Sequence, residues 1–477
     1  MKYDCIVVGG GIVGAAVVDR LAVFDISILL LEKGDDVAVG ASRANSGIVH
    51  AGYDCEPNTQ KALFNVRGNK LMWNLIEQLH VPHSKCGSIV VASKNQLDGL
   101  ENLKSKGDQN GVDTVILDRA QTLAIEPNIA DNIEYSLYAP EAGIVCPYRL
   151  TISMIDRAIT NGAEVLTNAE VTGISKNQDV FVVDTTRGQF EASIVINCAG
   201  AYGAAVNDMA GAEHYVTEFK RGDYFVLDNT ERKNVNTVIF PLPTAAGKGI
   251  LVAPTADGNV IYGPTSIGGK IDDTASTLNS LAEIRASVPL TYKSANFAKC
   301  IRVYSGNRTI IGHDFVVGKS KIVQNFVMAI GICSPGLTSA PAIAEEIENI
   351  VSHIIKLQIK QNYVTVMPNK LRLTELSASE ICELVKADES WGRIVCRCEK
   401  ITEAEIVDAI HSPLVATTVD AVKRRTRAGM GRCQGGFCGV RVMQILAREL
   451  NLPLSAIKKG GEGSEIAVVK VGEAYND

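Results

Sequence analysis

The chain has 477 residues, which suffices for about two to four domains. Hydrophobic residues make up 46% and charged residues 21%, so the chain can bury a core and is not a disordered polymer. The formal net charge of −6 argues against nucleic acid or an anionic membrane as the main partner. The uncharged run from Cys5 to Val18 is too short to span a bilayer and follows Asp4 rather than a positive charge. We therefore expect a cytoplasmic protein, with any membrane contact peripheral and made through a partner.

The cysteines indicate reduced thiols or metal ligands, because the chain is long and lacks a secretion signal. The sequence contains twelve. Eight are scattered singly and are expected to be small buried hydrophobic residues. The other four, Cys396, Cys398, Cys433 and Cys438, fall within 43 positions near the C-terminus.

The N-terminal segment has the pattern of a dinucleotide-binding unit. An apolar run over Tyr3–Val8 leads into Gly9-Gly10-Gly11-Ile12-Val13-Gly14 and a helical pattern to Leu21. A second apolar run, Ile26–Leu31, ends in Glu32. In such a unit the glycines permit a tight turn, close approach to a pyrophosphate and close packing of the helix. The helix N-terminus favours phosphate and the acid accepts hydrogen bonds from a ribose, but this pattern does not distinguish FAD from NAD.

Three later segments add to this pattern. Gly40–Gly52 is too polar and glycine-rich for a third strand and is predicted to be a loop along an extended cofactor. The apolar run Ala192–Asn197 leads into a second turn of small residues. The run Phe326–Ile330 leads through Gly331–Pro341 into a helix predicted from about Ala342 to Lys356. The start of that helix offers free N–H groups to an anionic acceptor such as a reduced flavin.

These segments resemble the FAD-dependent D-amino-acid-oxidase-like superfamily. The resemblance covers about residues 1–365, is most specific at Asn45–Gly52, and is closest to the branch of glycerol-3-phosphate dehydrogenases and oxidases and L-2-hydroxyglutarate oxidases. It implies an α/β fold with a discontinuous, Rossmann-like FAD-binding domain and an antiparallel β domain that forms a roof over the substrate. The implied FAD-binding segments are 1–84, 147–215 and 305–365, and the implied substrate-binding segments are 85–146 and 216–304.

The resemblance also implies residue roles. The residues expected to contact FAD are Gly9, Gly11, Gly14, Glu32, Ser42, Asn45, Ser46, Val171, Gly200, Gly336, Leu337 and Thr338. Oxidation of an alcohol needs a base for the hydroxyl proton, and histidine suits this role at neutral pH. His50 lies in the flavin-loop segment and is expected to be that base, the alternative being that it only packs against the flavin.

An anionic substrate needs fixed positive charge. Arg308 matches an arginine that reaches toward the substrate in this superfamily, and arginine can hold carboxylate or phosphate with two hydrogen bonds. Lys248 resembles a phosphate-contacting lysine, although a surface loop can also carry such a residue. Ser334 is expected to donate a hydrogen bond to substrate or flavin, and Arg302 is the alternative to Arg308 if the register differs.

The four C-terminal cysteines form a C-x-C and a C-x4-C pair separated by 34 residues. Two thiolate pairs can hold zinc or an iron–sulfur cluster, and the glycines beside Cys433 and Cys438 favour iron–sulfur. The segment resembles the bacterioferritin-associated-ferredoxin-like [2Fe-2S] domain. A small, mainly helical domain is expected over 377–455, followed by a tail over 456–477 with no readable role.

A flavin stores two electrons and a [2Fe-2S] cluster passes one at a time, so electrons are expected to leave to a redox partner protein. The run Lys423–Arg427 is either a docking patch for that partner or a solvated helix face. The favoured function is oxidation of sn-glycerol 3-phosphate to dihydroxyacetone phosphate. Oxidation of L-2-hydroxyglutarate is the first alternative, and a pure electron-transfer protein is the second.

Overall fold

The computed structural model describes residues 2–243 and 249–467. The strands, in chain order, are β1 Lys2–Val8, β2 Ile28–Leu31, β3 Ile48–Val49, β4 His83–Ser84, β5 Ser88–Ala92, β6 Val115–Asp118, β7 Tyr135–Ala139, β8 Gly143–Val145, β9 Glu164–Leu166, β10 Val171–Asn177, β11 Val180–Thr185, β12 Gly188–Asn197, β13 Glu218–Leu227, β14 Val238–Pro241, β15 Leu251–Pro254, β16 Val260–Gly263, β17 Ile267–Gly269, β18 Cys300–Ile310, β19 Val316–Lys319, β20 Phe326–Ile330, β21 Ile394–Cys396 and β22 Ile401–Thr402. The α-helices are α1 Ile12–Leu21, α2 Gln60–Gln78, α3 Leu97–Gln109, α4 Arg119–Ile125, α5 Pro147–Thr160, α6 Gly203–Met209, α7 Leu278–Ser287, α8 Gly336–Ser352, α9 Ala378–Ala387, α10 Glu403–Ile410, α11 Val419–Thr426 and α12 Gly439–Glu449.

The first sheet has a parallel centre with antiparallel additions. Strand β1 pairs in parallel with β2 and β12, and the parallel strands β9 and β20 extend it on either side. Strands β10, β11 and β19 pair antiparallel at its margins. The residues of β2 and β20 are continuously apolar and all buried, as expected for parallel strands covered on both faces. Helices α1, α5 and α8 pack together against one face.

The second sheet follows the order β17-β13-β16-β15-β14-β5-β7-β6, with β18 also paired to β13. Its pairs are antiparallel except for β5 and β14, which run in parallel. Strand β18 continues to Ile310 and therefore spans residue 304, where the sequence placed a domain boundary. Apolar clusters cover both faces of this sheet.

The C-terminal part is a small unit of α10, α11 and α12 around its own apolar core, with the β21–β22 hairpin on one side. Ser377 caps α9 in a capping box with Glu380, and Thr402 caps α10 in the same way with Glu405. Both helix starts carry the Ser/Thr-x-x-Glu pattern of a capping box in the sequence. The expected α/β fold with a helical C-terminal domain is confirmed. Within the described residues, no helix has the length and apolar composition needed to cross a membrane.

One predicted helix boundary is wrong. Helix α8 begins at Gly336 rather than at Ala342, so Pro341 lies inside the helix. Proline lacks an N–H group and usually interrupts a helix, which is why the sequence suggested a later start. Here the residues before Pro341, Thr338 to Ala340, are all buried, and their packing stabilises the first turns despite one missing hydrogen bond.

Candidate functional site

A cavity of about 1600 Å³ lies where the two sheets and the C-terminal domain meet. Most of the predicted site residues line it, from the glycine turn after β1 to the start of α8. The predicted residues on its wall are Gly9, Gly11, Glu32, Ser42, Asn45, Ser46, His50, Val171, Gly200, Arg308, Ser334, Gly336 and Leu337. Gly14 and Thr338 lie behind the wall, and Lys248 lies outside the described residues.

The turn after β1 requires its glycines for different reasons. Gly9 has a φ of 106°, which L side chains rarely adopt. A Cβ atom on Gly14 would lie 2.0 Å from the carbonyl oxygen of Gly9, so only glycine lets α1 begin this close to the turn. The Ile12 N–H donates to Ser42 Oγ at 2.8 Å, which ties the flavin-side loop to the helix N-terminus. The turn leaves the backbone open toward the cavity, as a bound pyrophosphate requires.

Glu32 lies at the end of β2 with its carboxylate at the cavity wall. It accepts hydrogen bonds from the N–H groups of Gly10 and Gly34, both at 2.7 Å. Burial raises the pKa of Glu32, and the two N–H groups oppose that shift. A ribose hydroxyl is a neutral donor that suits a buried carboxylate of this kind.

The loop after Ser42 is closed by its own side chains. Asn45 Oδ1 accepts from the N–H of Gly47 at 2.8 Å, so this side chain shapes the loop. Ser46 Oγ lies 3.1 Å from the hydroxyl of Tyr224, and the hydroxyl of Tyr304 donates to the Asn45 carbonyl at 2.9 Å. The two tyrosine rings stack at 4.6 Å and both line the cavity. This pair has no local signal in the sequence, because only the β13–β18 register brings the two residues opposite each other.

His50 lies on the cavity wall where the loop reaches the start of α8. The backbone N–H of His50 donates to Thr338 Oγ1 at 2.9 Å, and its backbone carbonyl accepts from Asn69 Nδ2 at 3.0 Å. The backbone is therefore fixed on both sides. The ring nitrogen Nε2 lies 3.5 Å from Ser334 Oγ, and the ring lies 6.0 Å from that of Phe240. The structure thus brings two of the predicted reactive side chains, His50 and Ser334, to one point.

The N-terminus of α8 points at the same region. Gly336 and Leu337 line the cavity, and Pro335 at the N-cap provides no side-chain cap for the first turn. A helix of 17 residues carries partial positive charge at such an end. This charge fits the pyrimidine edge of a flavin, which becomes negative on reduction.

Arg308 presents a positive charge to the cavity from β18. Its Nη2 donates to the carbonyl of Thr265 at 2.6 Å and its Nη1 to Ser266 Oγ at 3.2 Å. Lys220, directly opposite on β13, also lines the cavity and was missed by sequence analysis. Among the described residues, neither cation has a carboxylate within ion-pair distance. Arg302, the alternative to Arg308, also lines the cavity, but its Nη1 donates to Gln434 Oε1 at 3.0 Å beside the C-terminal cysteines.

The four cysteines form two pairs, each with one member from either motif. Cys398 Sγ lies 3.7 Å from Cys433 Sγ, and Cys396 is hydrogen-bonded to Cys438. Each thiol pair can hold one iron, so two pairs side by side fit a two-iron cluster.

Backbone N–H groups are directed at these sulfurs. Gly429 donates to Cys396, and Gly435 and Phe437 donate to Cys433. The Cys438 thiol and the N–H groups of Gly429 and Glu399 outweigh burial and lower the pKa of Cys396, which favours the thiolate that a metal needs. A Cβ atom on Gly431 would lie 2.3 Å from Cys398 Cβ, so this glycine leaves the space that the ligand occupies. The donors therefore fit a [2Fe-2S] cluster.

The basic run in α11 joins the domains. Arg424 Nη2 and Arg425 Nη1 lie 2.7 and 2.8 Å from Oδ2 of Asp36, and all three side chains are buried. Burial raises the pKa of Asp36, but the two guanidinium groups outweigh it and hold this pKa below its usual value. Both interpretations made for Lys423–Arg427, a docking patch and a solvated helix face, are wrong for these two arginines. They fix the C-terminal domain on the loop that follows Glu32.

A second contact joins all three parts of the chain. Asp257, in the loop after β15, lies 3.4 Å from Arg149 of α5 and 3.2 Å from Arg427 of the C-terminal domain. Arg427 also donates to Glu399 Oε2 at 2.7 Å, next to the ligand Cys398. Arg427 and Asp257 both line the large cavity, which therefore extends from the flavin loop to the cluster domain.

Known proteins match both parts of the chain. The family model for FAD dependent oxidoreductases matches residues 4–350, and the model for the BFD-like [2Fe-2S] binding domain matches residues 394–448. A glycerol 3-phosphate dehydrogenase of Caloramator mitchellensis is 39% identical over 97% of this chain and 98% of its own length. A glycerol 3-phosphate oxidase of Mycoplasma genitalium is 32% identical over 75% of this chain and 97% of its own length.

Solved structures give the same result. The L-alpha-glycerophosphate oxidase of Mycoplasma pneumoniae with FAD bound superposes with a TM-score of 0.74 at 29% identity, covering 78% of this chain and all of its own. The expected cofactors, FAD and a [2Fe-2S] cluster, are confirmed by these matches. The chain therefore belongs to the FAD dependent oxidoreductase family and carries a C-terminal BFD-like [2Fe-2S] binding domain.

Proposed function

We propose that this protein oxidises sn-glycerol 3-phosphate to dihydroxyacetone phosphate and passes the electrons through its [2Fe-2S] cluster to a partner protein. The observation that carries the substrate is the pair of cations on adjacent strands, Arg308 and Lys220, with no carboxylate partner among the described residues. Glycerol 3-phosphate places two negative charges on one group, which suits two cations on one wall. The relatives named as glycerol 3-phosphate enzymes support the same substrate.

The residues around His50 have distinct roles in this proposal. Arg308 holds the phosphate, with Lys248 as a further proposed contact outside the described residues. His50 accepts the hydroxyl proton at Nε2, and Ser334 Oγ, 3.5 Å from that atom, donates to the substrate oxygen. Bound FAD would supply the acceptor for the hydride on the carbon that carries this hydroxyl group. The second sheet covers this region and excludes water from the reacting groups.

The remaining proposed contacts concern FAD. Glu32 accepts from the ribose, while Gly9 and Gly11 admit the pyrophosphate. Leu337 offers its backbone N–H, in the first turn of α8, to the flavin edge, and Gly336, whose own N–H donates to the Cys333 carbonyl, lines the cavity beside it. The other predicted contacts, Gly14, Ser42, Asn45, Ser46, Val171, Gly200 and Thr338, shape or line the same cavity.

The competing substrate is L-2-hydroxyglutarate, because an enzyme of Escherichia coli named for it is 32% identical over 56% of this chain. Its two carboxylates lie at opposite ends of the molecule, so it needs separated cations. Anaerobic mixing of the holoenzyme with each compound distinguishes the two. Bleaching of the flavin by glycerol 3-phosphate and not by L-2-hydroxyglutarate supports the proposal, and the reverse result overturns it. Bleaching by neither compound favours a pure electron carrier.

A further inference from the structure

The cluster domain has an exposed surface directly beside its metal ligands. The N–H of Phe437 donates to the sulfur of Cys433, yet the Phe437 side chain is 86% exposed. Val440, three residues further along the chain and in the first turn of α12, is 59% exposed. Two exposed apolar side chains next to a redox centre suit a surface that another protein covers.

Two arginines lie on the segments that form this surface. Arg397 lies between Cys396 and Cys398, whose thiols pair with Cys438 and Cys433, so the Arg397 and Phe437 loops enclose the same site. Arg441 follows Phe437 by four residues and is exposed on α12. Neither arginine has an ion-pair partner among the described residues. From Gly429 to Arg448 the sequence contains no acidic residue, although the whole chain carries a net charge of −6.

The cluster also has an inner and an outer side. Cys396 and Cys438 are buried at 1% and 2% exposure, whereas Cys398 is exposed and Cys433 is half-buried. On the inner side, Met430 and Gln434 line the large cavity that also contains the flavin loop. Electrons that reach the cluster from the cavity can therefore leave it from its outer side, at Cys433 and Phe437.

We propose that Phe437, Val440, Arg397 and Arg441 form the docking surface for a small, carboxylate-rich protein that carries one electron at a time. The proposal rests on the function given above. Each encounter passes one electron from the reduced cluster to the oxidised carrier, so two carriers are reduced for each alcohol oxidised and two protons are released. Acidic residues of the carrier pair with the two arginines, and an apolar patch of the carrier covers Phe437. Opposite charge on the two proteins raises the rate of encounter by about 10- to 1000-fold and makes it dependent on salt.

The test uses the holoenzyme and two carriers of opposite charge, an acidic rubredoxin and the basic cytochrome c. For the double variant Arg397→Glu/Arg441→Glu, we expect reduction of rubredoxin at low salt to slow by at least about tenfold. Reduction of cytochrome c should become faster, which misfolding would not produce. The control variant Lys94→Glu/Arg187→Glu makes the same charge change on exposed residues elsewhere and should alter both rates by less than about twofold.

Additional variants and one further measurement separate docking from other effects. Phe437→Ser, which leaves the charges in place, should slow rubredoxin reduction without reversing its salt dependence. If the double variant assembles less cluster by visible absorbance, Arg441→Glu alone replaces it. Enzyme reduced with dithionite repeats the exit step without substrate, so a failure of glycerol 3-phosphate to reduce the flavin is separated from a failure of docking. Equal effects of the two double variants, or binding to phosphatidylglycerol vesicles that the Arg397 and Arg441 changes abolish, would overturn the proposal.

Discussion

Arg427 Nη1 and Asp257 Oδ2 lie 3.2 Å apart and join the cluster domain to the loop after β15. Both side chains are mostly buried, and Arg427 has a φ of 75°, an unfavourable backbone conformation for a residue with a side chain. The same guanidinium holds Glu399, the neighbour of Cys398. The ion pair therefore fixes the loop that carries a cluster ligand against the wall of the flavin cavity.

This pair predicts a pH dependence of stability. Burial raises the pKa of Asp257, but Arg149 and Arg427 outweigh it and lower the pKa from 3.8 to about 2. Since the folded pKa is below the unfolded one, the stabilisation is complete above pH 3.8 and is lost as the pH falls toward 2. Above pH 3.8, Asp257→Asn should therefore have a free energy of unfolding about 2 kcal/mol below that of wild type. This difference should disappear as the pH falls toward 2. Urea unfolding of the full chain measures this, and an unchanged difference would contradict it. Asp131→Asn, at an 86% exposed side chain, is the control.

Replacement of the arginine tests the same contact at neutral pH. Arg427→Gln leaves Glu399 without its partner and Asp257 with Arg149 alone, in a buried position, which should lower the free energy of unfolding by about 3 to 5 kcal/mol. Arg432 also bridges the domains, to Asp228, but is 66% exposed. Arg432→Gln should cost less than about 1 kcal/mol in the same thermal or urea measurement. Similar losses in the two variants would show that burial of the Arg427 contact is unimportant.

His50→Asn tests the base. Removal of a general base should slow anaerobic bleaching of the flavin by glycerol 3-phosphate by about 100- to 10,000-fold, with little change in the concentration of substrate needed for half-saturation. His83→Asn is the matched control, because its ring lies outside the cavity and bonds to the Val81 carbonyl. A His50→Asn enzyme that bleaches within tenfold of the wild-type rate would leave His50 with a packing role only.

The two arginines of β18 give a test of substrate binding. Arg308→Gln removes the charge on the cavity wall and should weaken binding of glycerol 3-phosphate at least about tenfold. Arg302→Gln should change binding less than about twofold, because that side chain contacts Gln434 of the cluster domain. Spectral titration of the bound flavin measures both dissociation constants. The opposite ranking would place the substrate at the other end of the strand.

Sequence predicted the elements whose signal is local. Phe326–Ile330 is a continuous apolar run and forms β20 with the same bounds, and the Ser377 and Thr402 caps lie where their hydroxyls precede an acid by three residues. The FAD and [2Fe-2S] cofactors were also predicted correctly. Spaced glycines indicated a dinucleotide and paired cysteines a metal site, and the family resemblances identified the two as FAD and [2Fe-2S]. Residue roles at the site remain predictions for the experiments above.

What sequence missed depends on contacts between distant segments. Tyr224 and Tyr304 stack only because β13 and β18 pair in one register. Asp36 binds arginines almost 400 positions away, which no local pattern indicates. Helix α8 begins before Pro341 because burial of its first turns outweighs the loss of one hydrogen bond.

The most direct test of the whole account is an anaerobic titration of the holoenzyme with glycerol 3-phosphate, followed by visible absorbance and electron paramagnetic resonance. We predict that the flavin bleaches and that the one-electron signal of the reduced cluster appears in the same sample. A bleached flavin beside a cluster that stays oxidised, or no response to glycerol 3-phosphate, would contradict it.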